Sequence, residues 1–213
     1  MPESQGLAEP QRRTTIHATN LPLVAEANAP DEVQQLYAHF RATFDRKDVP
    51  GILQCFATHP ALLEHMMGLA ETMLFSAGAL GRANKEMLAT FVSSQNHCAY
   101  CADSHGFFLR MSGGSTELLT AAAACDLQST SLTSAQRALL QFVQKITNDS
   151  SGISPQDVQP LRDLGWTELQ IAEAVHLTAL FACFNRVANA FGLPSQGLLA
   201  MDSALDSNPG EHP

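Results

Sequence analysis

Apolar residues recur every three or four positions along most of this chain, and no segment sustains a period of two between turn residues. A half-buried strand needs that alternation, whereas a helix buries a stripe at i, i+3, i+4, i+7. The chain is therefore expected to be all-α. Val33, Leu36, Tyr37, Phe40 and Phe44 follow Asp31, a plausible cap, until Asp48-Val49-Pro50-Gly51 breaks the run. His59-Pro60 opens a long apolar helix through Leu62, Met66, Met67, Met73 and Leu74, ended by Gly78 to Gly81. The spacing predicts a further helix from about residue 82 to 94 with Met87, Leu88, Phe91 and Val92 inward. After the polar break Ser93-Ser94-Gln95-Asn96, another helix begins near Cys98 and runs to Gly113-Gly114.

The later part of the chain carries clear start signals. Thr133-Ser134-Ala135-Gln136 has the form of a capping box, and Ser154-Pro155 pairs a serine cap with proline at the first helical position. Thr167 caps the last long helix, which passes through Ile171, Val175, Leu180, Phe184 and Val187 to Gly192. Residues 1–20 have no sustained period and read as a flexible N-terminal arm, with Leu21-Pro22-Leu23 as an anchor onto the body or onto a neighbouring subunit. Residues 21–195 are expected to form a single helical domain, and residues 196–213 a polar tail.

With 213 residues, such a domain can bury a sufficient core without disulfides or a structural metal. The net charge of −9 and the lack of a Lys/Arg run disfavour nucleic acid and anionic membranes as partners. The most apolar stretch, His176 to Phe184, is about half of what a membrane helix needs. No signal-peptide pattern opens the chain, so the expected location is the cytoplasm. Five cysteines, an odd number, do not read as a disulfide framework. Cys55, Cys125 and Cys183 stand singly among apolar neighbours and are expected to be small buried core residues.

Cys98 and Cys101 differ, because residues three apart on a helix share a face and can approach disulfide distance. Near a helix start, Cys98 would meet free backbone N–H groups and the positive end of the dipole, which favour a thiolate. His105 follows Cys101 by one turn on the same face, where an imidazole can exchange protons with a thiol or a leaving alkoxide. Two other readings share this spacing. A zinc site would need Glu86 or His97 beside His105, and no second Cys-x-x-Cys is present. A pair of buried cysteines with a capping histidine is the other.

Eleven residues separate Glu86 from Cys98, and the whole reads Glu-x11-Cys-x2-Cys-x3-His. This pattern resembles the alkylhydroperoxidase D-like, or carboxymuconolactone decarboxylase-like, superfamily. Leu21-Pro22-Leu23, Ala29 to Val33, His59-Pro60-Ala61-Leu62-Leu63 and Phe184 to Ala190 extend the resemblance to its peroxidase-related branch, over roughly residues 20 to 195. The resemblance implies an alkylhydroperoxidase D-like helical bundle that reduces hydroperoxides without a bound cofactor or metal. It makes Cys101 the peroxidatic cysteine, Cys98 the resolving one, and Glu86 with His105 a proton relay. It also implies an external dithiol reductant of lipoyl or thioredoxin type, and a homo-oligomer, trimeric or hexameric. The chain departs from the family pattern at Tyr100, where alkylhydroperoxidase D has a histidine between the cysteines. A phenol with pKa near ~10 does not relay protons at neutral pH as imidazole does. Tyr100 is expected to pack over the sulfurs or line the pocket.

Two other functions fit parts of this pattern. One is decarboxylation of a carboxymuconolactone-type substrate through Glu86 and His105, although the decarboxylases of the superfamily generally lack the paired cysteines. The other is a non-catalytic oligomer that senses redox state through a reversible disulfide. Among the remaining polar residues, His176 reads as a core or interface histidine, and His97 as a capping or exposed residue. Asn185 or Arg186 is expected to face a polar pocket or a subunit contact, and Trp166 to pack where the loop enters the last helix.

Overall fold

In a computed structural model of the chain, which describes residues 19–76 and 78–200, nine α-helices enclose one core and no strand occurs among the described residues. They are α1 (Asp31–Phe44), α2 (Gly51–Phe56), α3 (Pro60–Ala70), α4 (Arg82–Gln95), α5 (Ala99–Met111), α6 (Thr116–Ala123), α7 (Ser134–Asp149), α8 (Pro155–Asp163) and α9 (Glu168–Phe191). The start signals hold: Thr133, Ser154 and Thr167 each close a capping box, and Pro60 and Pro155 open their helices. Asp31 is the first helical residue rather than the cap, where its charge suits the dipole.

The architecture is built around α4. Its nine consecutive residues from Lys85 to Ser93 are all buried, so this helix has no solvent face over that stretch. It lies among α5, α6, α7 and α9. Only four of those positions are strongly apolar, and each buried polar group finds a partner. Lys85 Nζ donates to the Ser76 carbonyl at 3.2 Å, Thr90 Oγ1 to the Glu86 carbonyl at 2.8 Å, and Ser93 Oγ accepts from Asn185 Nδ2 at 3.0 Å. Satisfied polar groups of this kind can be buried without the penalty that orphans carry. Helix α9 is long and apolar enough to cross a membrane by length and composition, but here it packs against α2, α4, α5 and α7 as a core helix.

Two local irregularities shape the site. The helix that begins at Pro60 ends in a π-helical turn, Glu71–Phe75, which re-aims its last apolar side chains. The second is the α4–α5 corner. Cys98 N–H reaches the Ser93 carbonyl at 2.8 Å and His97 N–H the Ser94 carbonyl at 3.0 Å, with His97 at φ 53°. This is a Schellman closure with histidine at the left-handed position usually held by glycine. One residue later Cys98 accepts the Cys101 N–H as the N-cap of α5. The same cysteine therefore ends one helix and starts the next.

The flanking segments lie against the body by backbone contacts. Asn20 N–H donates to the Phe191 carbonyl, and Tyr37 Oη to the Val24 carbonyl, while Leu21 stays exposed. Residues 1–18 of the expected arm and 201–213 of the expected tail lie outside the described residues. The tail's first residues fold back onto α5: Asp103 accepts the N–H groups of Leu198 and Leu199 at 3.1 and 3.0 Å, and Gln196 Nε2 donates to Ser104 Oγ at 2.8 Å. Glycine at position 106 lets the tail pack closely: a Cβ there would meet the Cδ1 atoms of Leu119 and Leu199 at 2.9 Å, and those side chains would have to shift. Two cysteine expectations are corrected. Cys55 is buried, but Cys125 is half-buried and Cys183 exposed. The buried positions of α9 run 171, 174, 177, 178, 180, 181, 184, 185 and 188, and 183 falls outside that stripe.

Because His97 serves the turn and is itself exposed, His97→Gly is expected to hold or raise stability. His97→Val is expected to lower it by about 1–2 kcal/mol. Urea unfolding distinguishes these outcomes, and equal stability of all three proteins would contradict the assignment.

Candidate functional site

The four residues Glu86, Cys98, Cys101 and His105 come from two adjacent helices. Glu86 lies on α4, Cys98 is the cap of α5, and Cys101 and His105 sit on successive turns of α5. Glu86 is fully buried, although the polar sequence around it, Arg82 to Glu86, looks like a solvated face. Its burial is possible because both oxygens are paired. Oε1 accepts from Arg82 Nε at 2.6 Å and Nη2 at 2.5 Å, and Oε2 contacts His105 Nδ1 at 2.7 Å. A carboxylate only accepts hydrogen bonds, so Nδ1 must carry the hydrogen, and Nε2 is the nitrogen left for proton exchange. His105 and Phe181 stack edge to face, with ring centroids 4.6 Å apart, which restrains the imidazole plane.

Arg82 had not been singled out in the sequence. It follows Gly81 at the start of α4, and its guanidinium lies 4.9 Å from the centroid of Phe75, the last residue of the π turn. The i, i+4 spacing to Glu86 is visible in sequence, but that spacing is common on exposed helices.

The two thiols are free and buried, and they are inequivalent. The Cys101 thiol hydrogen-bonds to Cys98, which holds Cys98 below the ordinary thiol range; the Cys101 N–H, 3.4 Å from Cys98 Sγ, acts in the same direction. The same sulfur–sulfur hydrogen bond, with burial, pushes Cys101 up. Negative charge on the pair is therefore favoured at Cys98, as its place at the helix N-terminus requires. The side chain of Asn185 also hydrogen-bonds the pair and is held in turn by Ser93 and by Asn96 Nδ2 at 3.0 Å. Of Asn185 and Arg186, one of which was expected to face a polar pocket or a subunit contact, Asn185 is the buried one and lies among polar partners, whereas Arg186 donates to the Ala182 carbonyl on the helix exterior. Cys55 stays outside this chemistry, since burial pushes its thiol up to about 12.

A cavity of about 400 Å³ opens beside the pair. Cys101, His105, Ser104 and Tyr100 form part of its wall, whereas Cys98 and Glu86 do not reach it. Most of the remaining wall is apolar, with Phe40, Phe44, Phe56, Met66, Phe75 and Phe108 contributing. Tyr100 lines the pocket as expected, its hydroxyl accepting the Ile52 N–H at 3.3 Å. Burial pushes its phenol further up, so it remains neutral. Met66 also reaches the cavity, while Trp166 packs at the loop into α9 and donates Nε1–H to the Ala135 carbonyl at 3.0 Å. His97 and His176 are exposed. Among the described residues, no group of three or more His, Cys, Asp or Glu side chains is arranged to hold a metal ion.

The sulfur–sulfur hydrogen bond predicts that ultraviolet absorbance will detect a thiolate at Cys98 below the usual thiol range, with a midpoint that rises in Cys101→Ala. An unchanged midpoint would show that Cys101 does not stabilise the charge.

The family comparison matches these residues. Residues 60–145, which include Glu86, both cysteines and His105, match the model of the carboxymuconolactone decarboxylase family. No curated protein matches the sequence. The structure is similar to the alkylhydroperoxidase AhpD core of a peroxidase-related protein from Ralstonia eutropha JMP134, with TM-score 0.75 and 25% identity over 84% of this chain and 94% of that one. It is also similar to a peroxidase-related protein from Silicibacter sp. TM1040, with TM-score 0.73 and 27% identity over 89% and 95%. The debrominase Bmp8 shares the fold at TM-score 0.68 and 17% identity over 90% of this chain and 97% of that one. The chain thus has an alkylhydroperoxidase D-like helical fold, and its residues 60–145 match the carboxymuconolactone decarboxylase family model.

Proposed function

We propose that the chain is a thiol-dependent peroxidase that reduces organic hydroperoxides through Cys101 and Cys98. One observation carries this reading: Cys101 and His105 share the wall of an apolar cavity, and a second thiol, Cys98, caps the same helix one turn before Cys101 and accepts its N–H. A hydroperoxide entering the cavity meets Cys101 first. The resting charge, however, favours Cys98, so the proton of Cys101 must leave before it attacks. It can pass along the sulfur–sulfur hydrogen bond to Cys98 or to Nε2 of His105.

The Cys101 thiolate then attacks the terminal oxygen of ROOH, and the O–O bond breaks. The alkoxide takes a proton and departs as ROH, leaving Cys101 as a sulfenic acid. Cys98 attacks that sulfur, water leaves, and a disulfide forms. The net change converts two thiols and ROOH into a disulfide, ROH and water. An external dithiol, of lipoyl or thioredoxin type, reopens the bridge by thiol–disulfide exchange. Glu86 does not handle substrate in this scheme; it keeps the proton on His105 Nδ1 and orients the ring. That role also weakens the decarboxylase reading, because both Glu86 oxygens are occupied and its side chain is shut off from the cavity.

The five free thiols support a reducing, cytoplasmic setting. A homo-oligomer, trimer or hexamer, belongs to the same reading, supported by the exposed Leu62 and Leu69 on α3.

In the presence of a dithiol, Cys101→Ser is expected to abolish hydroperoxide consumption. Cys98→Ser is expected to allow one turnover and leave a sulfenic acid on Cys101 that dimedone traps. Unchanged consumption by Cys101→Ser would refute the mechanism, and a sulfenic acid trapped on Cys98 in that variant would reverse the order of the thiols.

A further inference from the structure

The charge on the cavity wall limits what can bind there. The lining includes two cations, Arg46 and Arg82, and no Asp, Glu or Lys. These cations are not equivalent. Arg82 gives two nitrogens to Glu86 and lies over Phe75, so its charge is answered within the protein. Arg46 belongs to the α1–α2 connection and straddles the cavity and solvent, with 29% of its side chain exposed. Its contact with Asp48 is long, 3.4 Å to each oxygen from a single nitrogen, and Asp48 itself is 67% exposed. A solvated pair of that geometry contributes little and is readily exchanged for a better partner.

A guanidinium set in an apolar wall attracts a negative group more strongly than one on an open surface, because less water screens it. Its planar fork suits a carboxylate. The field of the whole chain, at −9, does not gather anions, so any preference for them must arise locally. Beside Arg46, Phe40 and Phe44 continue the wall inward from α1, and Met66 and Phe75 face the same space from α3 and the π turn. Tyr100 adds a neutral hydroxyl that already accepts the Ile52 N–H and keeps its own proton to donate.

We infer that the cavity takes an amphiphilic organic acid, an apolar acyl or aromatic body carrying a carboxylate, with Arg46 holding the carboxylate at the solvent side and the body filling the apolar wall towards Cys101. This rests on the reading of the cavity as the substrate site of the thiol pair, and it makes hydroperoxides of such acids preferred over neutral ones. Neutral bodies still enter, but without the anchor.

Calorimetric titration of the reduced full-length protein with decanoate and with methyl decanoate tests this directly. Decanoate is expected to bind about tenfold tighter, the scale of one charge-assisted contact. Arg46→Gln removes the difference while leaving methyl decanoate binding unchanged, which shows that the cavity is intact; Arg46→Lys retains part of it. Equal binding of the two compounds, no measurable binding of either, or a preference that survives Arg46→Gln would overturn the inference. The same titration on Cys101→Ser separates the two readings. A preserved decanoate preference in a protein whose wild type consumes no hydroperoxide would leave the anchor standing and remove the peroxidase.

Discussion

The site depends on a single buried carboxylate. Glu86 lies inside the central helix with no access to solvent, where an unpaired charge would cost several kcal/mol. It is tolerated because Arg82 occupies one oxygen and His105 the other. That division of labour has chemical consequences. It sets the tautomer of His105, points the remaining nitrogen away from Glu86, and ties the first turn of α4 to the second turn of α5. With α4 surrounded on all sides over Lys85 to Ser93, the pair has little freedom to move independently.

The corner between these helices places the thiols. The Schellman closure at Asn96 and His97 brings the chain round so that Cys98 caps α5, which puts its sulfur among free N–H groups. Cys101, one turn later, faces the cavity. The helix end thus stabilises charge on the thiol that substrate does not meet. A sulfur–sulfur hydrogen bond resolves the conflict, since one proton moving between the two atoms exchanges which of them is the thiolate. Such a pair titrates as a unit, and its behaviour belongs to both residues.

Much of this was legible in the chain. Most helices followed from apolar spacing, although α2 did not, and the later helix starts followed from a capping-box pattern at Thr133, a Ser-Pro cap at Ser154 and a threonine cap at Thr167. The pattern Glu-x11-Cys-x2-Cys-x3-His pointed to all four residues that the fold gathers. What escaped had physical reasons. The burial of α4 could not be read from Arg82 to Glu86, because the partners that satisfy those groups come from other elements or look like an ordinary surface pair. The polar break before Cys98 was visible, but its left-handed turn is built on His97, not glycine, so nothing announced that geometry. Cys183 was misplaced because neighbouring apolar residues were weighed ahead of the helical period. The cavity draws on α1 to α5, α9 and residues 196 to 198, a convergence that no local pattern announces.

The central claim is that the buried pair is a working dithiol, and mass spectrometry after one equivalent of an organic hydroperoxide, with alkylation of remaining thiols, tests it most directly. The account predicts loss of two hydrogens confined to the peptide that carries Cys98 and Cys101, with Cys55, Cys125 and Cys183 alkylated as free thiols. Recovery of Cys98 and Cys101 as free thiols, or oxidation appearing first at the exposed Cys183, would contradict it.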